Sequence, residues 1–256
     1  MSTVAISLQS GSSGNCIFVE ANGVRLLVDA GISGKQAELR LAHHGIDIRS
    51  VHGVLITHEH ADHVSCAHVY QKKFHLPLYA TGKTWAAMQR YRSASAHGEV
   101  RLFSAGETLK IGALRVETLS TPHDAVDGVA YVIDAGSRRL GVLTDLGHVF
   151  TELGPAVASL DGVFLESNYD PDMLETGDYP MALKRRIRGP AGHLSNLESA
   201  NVLKAHGKRL LWACLAHLSQ NNNTPRIALH THREHGKHPF PVHAARRDSV
   251  TDALVL

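Results

Sequence analysis

Thr57-His58-Glu59-His60-Ala61-Asp62-His63 constrains this chain more than any other stretch. Three imidazoles and a carboxylate fall within six residues, directly after the apolar run Val54-Leu55-Ile56. Together these donors suit zinc, manganese or iron(II), and two metals can share such a cluster. On extended chain His58 and His60 point the same way. Asp62 and His63 follow as the chain turns, aimed at a neighbouring point. The bland alternative is a polar surface turn rich in histidine.

Further candidates follow in order. Asp29 ends the apolar run Leu26-Leu27-Val28 and is followed by Ala30-Gly31. Thr121-Pro122-His123 comes after a strand-like run from Leu114 to Leu119. Asp145 sits in Leu143-Thr144-Asp145-Leu146-Gly147, and His217 in Leu215-Ala216-His217-Leu218-Ser219. Each alone is weak, because a lone histidine after a strand is usually an ordinary surface or core residue.

As an ordered set these motifs resemble the metallo-β-lactamase superfamily of hydrolases. The resemblance implies an α/β (α+β) fold of the αββα sandwich type, with the metals at one edge between two sheets. It implies two divalent ions, Zn2+ or Mn2+, one on His58, His60 and His123, the other on Asp62, His63 and His217. Asp145 would bridge them together with a hydroxide, and Asp62 and Asp145 would carry catalysis. Two divalent ions outweigh two carboxylates and a hydroxide, so such a site stays net positive and suits an anion. Paired metals can lower the pKa of the bridging water and clamp both reacting oxygens. Asp29 is expected to orient a ligand histidine through its free N–H rather than bind metal.

Departures narrow the choice. Oxygen-reducing di-iron members carry a carboxylate where this chain has His60, and many β-lactamases carry cysteine where it has Asp145. Only 71 residues separate Asp145 from His217, too few for the nucleic-acid-gripping cap of larger nucleases, which needs on the order of 100 residues.

Bulk properties leave the partner open. The chain has 256 residues, 43% hydrophobic and 20% charged, with net charge +2 and 19 histidines. Such a composition is that of a soluble globular protein, and one domain over residues 1–256 is expected. No apolar run approaches the ~20 residues of a membrane helix, and Met1-Ser2-Thr3 runs into Val4-Ala5-Ile6 without a leader pattern. A cytoplasmic location away from membranes is therefore expected. Cys16, Cys66 and Cys214 suit reduced thiols, Cys66 being read as a buried structural one.

Strand-like runs are expected at residues 4–8, 16–20, 24–29, 51–57, 77–80, 113–119, 129–135, 138–144, 161–166, 209–216 and 252–256. Helices are expected over 36–44, 82–92, 180–188 and 224–236, with Gly45 capping the first and Pro180 and Pro225 opening the last two. Strands and helices in this mixture suit two packed sheets with helices outside.

Four loops point to one branch: Ser7 to Asn15, Glu166 to Leu174, Gly192-His193-Leu194-Ser195-Asn196, and Ala216 to Asn222. Together they are similar to the YycJ/WalJ branch, small, uncapped, DNA-exonuclease-like members. Tyr169 departs from it, since histidine is common there. The small residues around Ser12, Ser13 and Asn15 would let backbone N–H groups approach an anion; a tight hairpin turn is the alternative. By similarity His193 would protonate the leaving oxygen or bind the phosphate, against a helix-capping role. Within Lys184-Arg185-Arg186-Ile187-Arg188, Arg186 and Arg188 are candidates for backbone phosphates, against a solvated helix face. His230, His232, His235 and His238 read as a solvated face. The leading expectation is a metal-dependent phosphodiesterase that degrades nucleic acid, DNA favoured, from an end. The rival is a small-molecule ester, thioester or lactone hydrolase; a third possibility keeps the metals without catalysis.

Overall fold

Short Val- and Leu-rich runs, most of them buried on both faces, build two sheets. The computed structural model describes residues 2–90 and 98–256. Six early strands are β1 (Val4–Gln9), β2 (Cys16–Ala21), β3 (Val24–Val28), β4 (Gly53–Leu55), β5 (Leu78–Thr81) and β6 (Val100–Phe103). Then come β7 (Thr108–Ile111), β8 (Leu114–Ser120), β9 (Val129–Asp134), β10 (Arg139–Leu143), β11 (Gly162–Glu166), β12 (Trp212–Ala216), β13 (Val242–Ala244) and β14 (Leu254–Val255). The first sheet runs β14-β1-β2-β3-β4-β5-β6 and the second β13-β12-β11-β10-β9-β8-β7. Val4 pairs with Val255, so both ends of the chain share one sheet.

The helices are α1 (Gly34–His43), α2 (Ala61–Val64), α3 (Ala67–Phe74), α4 (Gly82–Arg90), α5 (Leu153–Ala158), α6 (Pro171–Thr176), α7 (Met181–Arg188), α8 (Asn196–His206) and α9 (Pro225–Thr231). Leu26 and Val28 face inward, where they join Val116, Tyr131, Phe164 and Trp212 of the second sheet. Leu27, between them, faces outward with Phe18 and Val54 onto Ala37 and Leu41 of α1 and Tyr70 and Phe74 of α3. The period of two in a strand produces this split. On the far side Leu143, Val163 and Leu165 pack against Val157 of α5 and Val202 and Leu203 of α8. The layers are therefore helix, sheet, sheet, helix: the expected αββα sandwich.

Several elements escaped the sequence reading. β6 and β7 expose most of their side chains, so no apolar alternation marks them. α8 buries Asn196 and Ser199 beside Ala200, Val202 and Leu203, which blurs its apolar stripe, although Ser195 and Glu198 form a capping box. The 82–92 helix is seen as Gly82–Arg90, and residues 91–92 lie outside the described residues. The 224–236 helix is α9 followed by a π-helical turn, His232–Gly236.

Candidate active site

The ends of β3, β4, β8, β10, β11 and β12 carry the chemistry. β3 and β4 are parallel, as are β10, β11 and β12. β8 is antiparallel to β9, which is antiparallel to β10, so β8 runs in the same sense as β10. Asp29 and His217 directly follow β3 and β12, and Asp145 lies two residues past β10. All three turn off their strands with left-handed backbone, φ 66°, 54° and 56°. That conformation is uncommon outside glycine and concentrates at functional sites. Gly31 permits the close approach of the histidine loop, since a Cβ there would stand 1.7 Å from the Asp62 carbonyl oxygen.

The donor atoms fall into overlapping groups. Those of His58, His60 and His123 lie within 4.8 Å of one another, as do those of Asp62, His63 and His217; His58, His63 and Asp145 form a group that links the two. Asp145 Oδ2 is 3.4 Å from His63 Nε2, and its Oδ1 is 3.8 Å from His123 Nε2 and 3.4 Å from His217 Nδ1. Among the described residues, His58 Nε2, His123 Nε2 and Asp145 Oδ2 are buried without a hydrogen-bond partner. An unsatisfied buried polar atom costs about 1–3 kcal/mol. Three of them at one locus, among imidazoles and carboxylates, fit a divalent cation.

Protonation follows the same geometry. Burial, then the neighbouring rings of His63, His60 and His123, push His58 well below the ordinary histidine range. Its ring is neutral, as ligation requires. Burial also disfavours charge on His63, but Asp29, Asp145 and Asp62 outweigh it and hold the ring well above its usual value. His217 is lifted to about 10 against burial by Asp145, Asp62 and Glu166. Without metal, protons on these rings balance the carboxylates; a metal ion would displace them.

Orienting contacts surround the donors. His63 Nδ1 lies 2.7 Å from Asp29 Oδ2. Asp29 also accepts from Thr57 N, and the Thr57 hydroxyl lies 3.0 Å from His58 Nδ1. His123 Nδ1 donates to the Gly192 carbonyl at 2.8 Å. A Cβ at Gly192 would stand 2.1 Å from the Ile187 carbonyl oxygen, so only glycine fits there. Asn168 Nδ2 donates to the His217 carbonyl at 2.8 Å.

His193, remote in sequence, joins this cluster: its ring centroid is 4.9 Å from that of His123 and 5.2 Å from that of His217. It does not cap α8, because Ser195 does. Its Nδ1 meets Glu166 Oε1 at 2.6 Å. Glu166 had no assigned role in the sequence reading, yet it is fully buried and also accepts from Leu146 N and Leu194 N. Burial raises its pKa, but His193 and His217 outweigh that and hold it well below the usual carboxylate range. A carboxylate closing a buried strand, as at Asp29, was the available signal.

Other expectations need correction. The site is not simply net positive: Asp29, Glu166 and Asp124 add carboxylates to Asp62 and Asp145, Asp124 Oδ1 lying 3.4 Å from His123 Nε2. Asn15 is buried in the β1–β2 hairpin loop, accepting from Gly11 N and facing Asp62 Oδ2 and His63 Nε2, so its amide contacts the donors directly. Ser12 and Ser13 are exposed at that loop's tip. Arg186 is paired with Asp124 and Arg188 with Glu175. Lys184 is buried, its amine on the Glu175 carbonyl, and Arg185 is exposed. His232 is buried, not on a solvated face, with Nδ1 3.3 Å from His238 Nε2. Cys66 is half-buried rather than buried; all three cysteines are free. Tyr169 is buried against Leu174 and Ile187.

The profile of the Beta-lactamase superfamily domain matches residues 24–214. The chain belongs to the metallo-β-lactamase superfamily. Within it, the chain is 36% identical over 225 residues to exodeoxyribonuclease YycJ of Bacillus anthracis, covering 86% of this chain and 84% of that protein. It is equally 36% identical over 224 residues to exodeoxyribonuclease WalJ of Streptococcus pneumoniae, covering 86% and 83%. This is the branch the loops resembled. The metallo-β-lactamase-fold protein YhfI from Bacillus subtilis shares the fold, with TM-score 0.74 at 17% identity over 98% of this chain and 99% of that one. With this superfamily's fold, the histidine and aspartate clusters make the rim a divalent-metal site. No helix among the described residues is long and apolar enough to cross a membrane.

Proposed function

We propose that this superfamily member is a metal-dependent nuclease that degrades DNA from an end, working with two divalent ions. The carrying observation is the position of Asp145: one carboxylate within 4 Å of nitrogens from both triplets, with His193 alongside. His58, His60 and His123 would hold one ion, and Asp62, His63 and His217 the other, with Asp145 shared. When bound, the ions activate water and offset charge on the phosphoryl oxygens. The chain's own groups do the rest. Glu166 accepts a hydrogen bond from His193 Nδ1, which fixes the tautomer and the orientation of the ring. His193 Nε2 is then the nitrogen that delivers a proton to the leaving oxygen. Thr57 and Asp29 keep the His58 and His63 rings turned toward the site.

The two exodeoxyribonuclease relatives support a nucleic-acid substrate over a small ester, thioester or lactone. Purified protein supplied with Mn2+ or Zn2+ tests this against linear DNA, closed circular DNA and a generic ester. Linear DNA should be shortened while the circle persists. A rapidly hydrolysed ester beside untouched DNA would move the assignment to the small-molecule hydrolase, and a cut circle would make the enzyme an endonuclease.

A further inference from the structure

Five carboxylates, Asp29, Asp62, Asp124, Asp145 and Glu166, surround the proposed metal site. With two divalent ions bound, they leave no surplus positive charge to draw in a polyanion. A phosphodiester chain must therefore find its cations beside the site. The densest basic run, on α7, offers few: Arg186 and Arg188 already hold carboxylates, and the Lys184 amine is spent on a carbonyl.

Further cations with no carboxylate partner among the described residues follow β13. Arg247 is half-buried, and no carboxylate pairs with it among the described residues. Its Nη1 donates to the Ser219 carbonyl at 2.6 Å, two residues past His217. Its aliphatic stem packs on Gly11, where a Cβ would stand 3.0 Å from Arg247 Cγ. The loop that begins at Gly11 ends at Asn15, whose amide is 3.3 Å from Asp62 Oδ2. Arg247 thus stands one loop away from the Asp62, His63 and His217 triplet. Arg246 beside it is exposed, and its carbonyl accepts from Ser10 N at 3.0 Å.

The track continues. β13 is parallel to β12 and delivers Arg246 and Arg247 to the rim where β12 ends in His217. α9 leaves that same end of β12. Its exposed Arg226, His230 and the following Arg233 recur at helical spacing on one face. They line an open groove of about 420 Å³ with Ile227 and Leu229. Cations over a partly apolar floor suit a strand that presents phosphates on one side and bases on the other.

We propose that single-stranded DNA leaving the metal site crosses Arg246 and Arg247 and runs along the face that Arg226, His230 and Arg233 form on α9 and the π-helical turn after it. This rests on the nuclease reading. The test is binding of full-length, metal-loaded protein to a labelled, cleavage-resistant phosphorothioate DNA strand, followed by anisotropy from about 50 to 200 mM salt. Replacing Arg226, Arg233 and Arg246 with alanine should weaken binding and flatten the salt slope by roughly 0.7 log–log unit per lost contact. Arg247→Gln, which keeps the stem and a donor for Ser219, should act the same way. Hydrolysis of a small phosphodiester should survive both changes, which reports an intact site. Wild-type protein that cleaves DNA, beside variants of unchanged slope, would overturn this track and leave the nuclease standing. A larger slope loss from Arg185→Ala would move the track to α7 and overturn it too. Loss confined to an RNA strand would overturn the choice of DNA. Wild-type protein that binds neither strand would remove the track and the nuclease together.

Discussion

His193 and the metal ligands differ in what their loss should do. His193→Ala removes a proton carrier whose Nδ1 is tied to Glu166, so turnover should fall about 10²–10⁴-fold while metal content stays near wild type. Elemental analysis beside the rate assay separates the two; falling metal content would make His193 a ligand. His217→Ala should instead cost metal, taking a replete protein from about two equivalents toward one. Asp29→Asn weakens the partner of His63 Nδ1, and metal affinity should fall about 10–100-fold, readable by competition with a chromogenic chelator. Most of these residues were legible because each follows an apolar run, where a polar side chain calls for explanation. Glu166 closes an apolar run in the same way, but its role lies in contacts with Leu146, Leu194 and His193, all distant in the chain.

At the scale of elements, sequence density misled where partners were remote. The run 184–188 looks like a cationic face until Asp124 and Glu175 arrive from other elements to neutralise it. The histidines of 230–238 looked solvated because their spacing suits one helix. A π-helical turn instead buries His232 against His238 and beneath Ser167. Burial, then His238, lowers the His232 pKa to about 3. Its unfolded value is near 6.5, so between these values the unfolded chain binds the extra proton. Stability from this group is therefore complete above about pH 6.5 and is lost as pH falls toward 3. Melting temperature should drop more steeply from pH 7 to pH 4 in the wild type than in His232→Gln; parallel curves would contradict the shift. Strands whose inner and outer faces are both apolar, such as β3 and β11, were legible from their runs. β6 and β7, mostly exposed, were not.

The whole molecule places two sheets so that their strand ends meet at one rim, and the metal donors come from both. His58, His60 and His63 belong to the first sheet's loops, and His123, Asp145 and His217 to the second's. Metal bound between them should hold the sheets together in the folded state only. An ion present at 100 times its Kd adds about 2.7 kcal/mol, so chelation should lower the melting temperature by roughly 5–10 °C per site at this chain length. Calorimetry with and without chelator checks this, and an unchanged transition would deny a metal role in stability. The most direct test of the central claim is cleavage of end-labelled single-stranded DNA by metal-free protein, by protein reconstituted with Mn2+ or Zn2+, and by reconstituted Asp145→Ala. Only the reconstituted wild type should shorten the strand. Digestion by the metal-free protein, or by Asp145→Ala at the wild-type rate, would contradict a two-ion nuclease centred on Asp145.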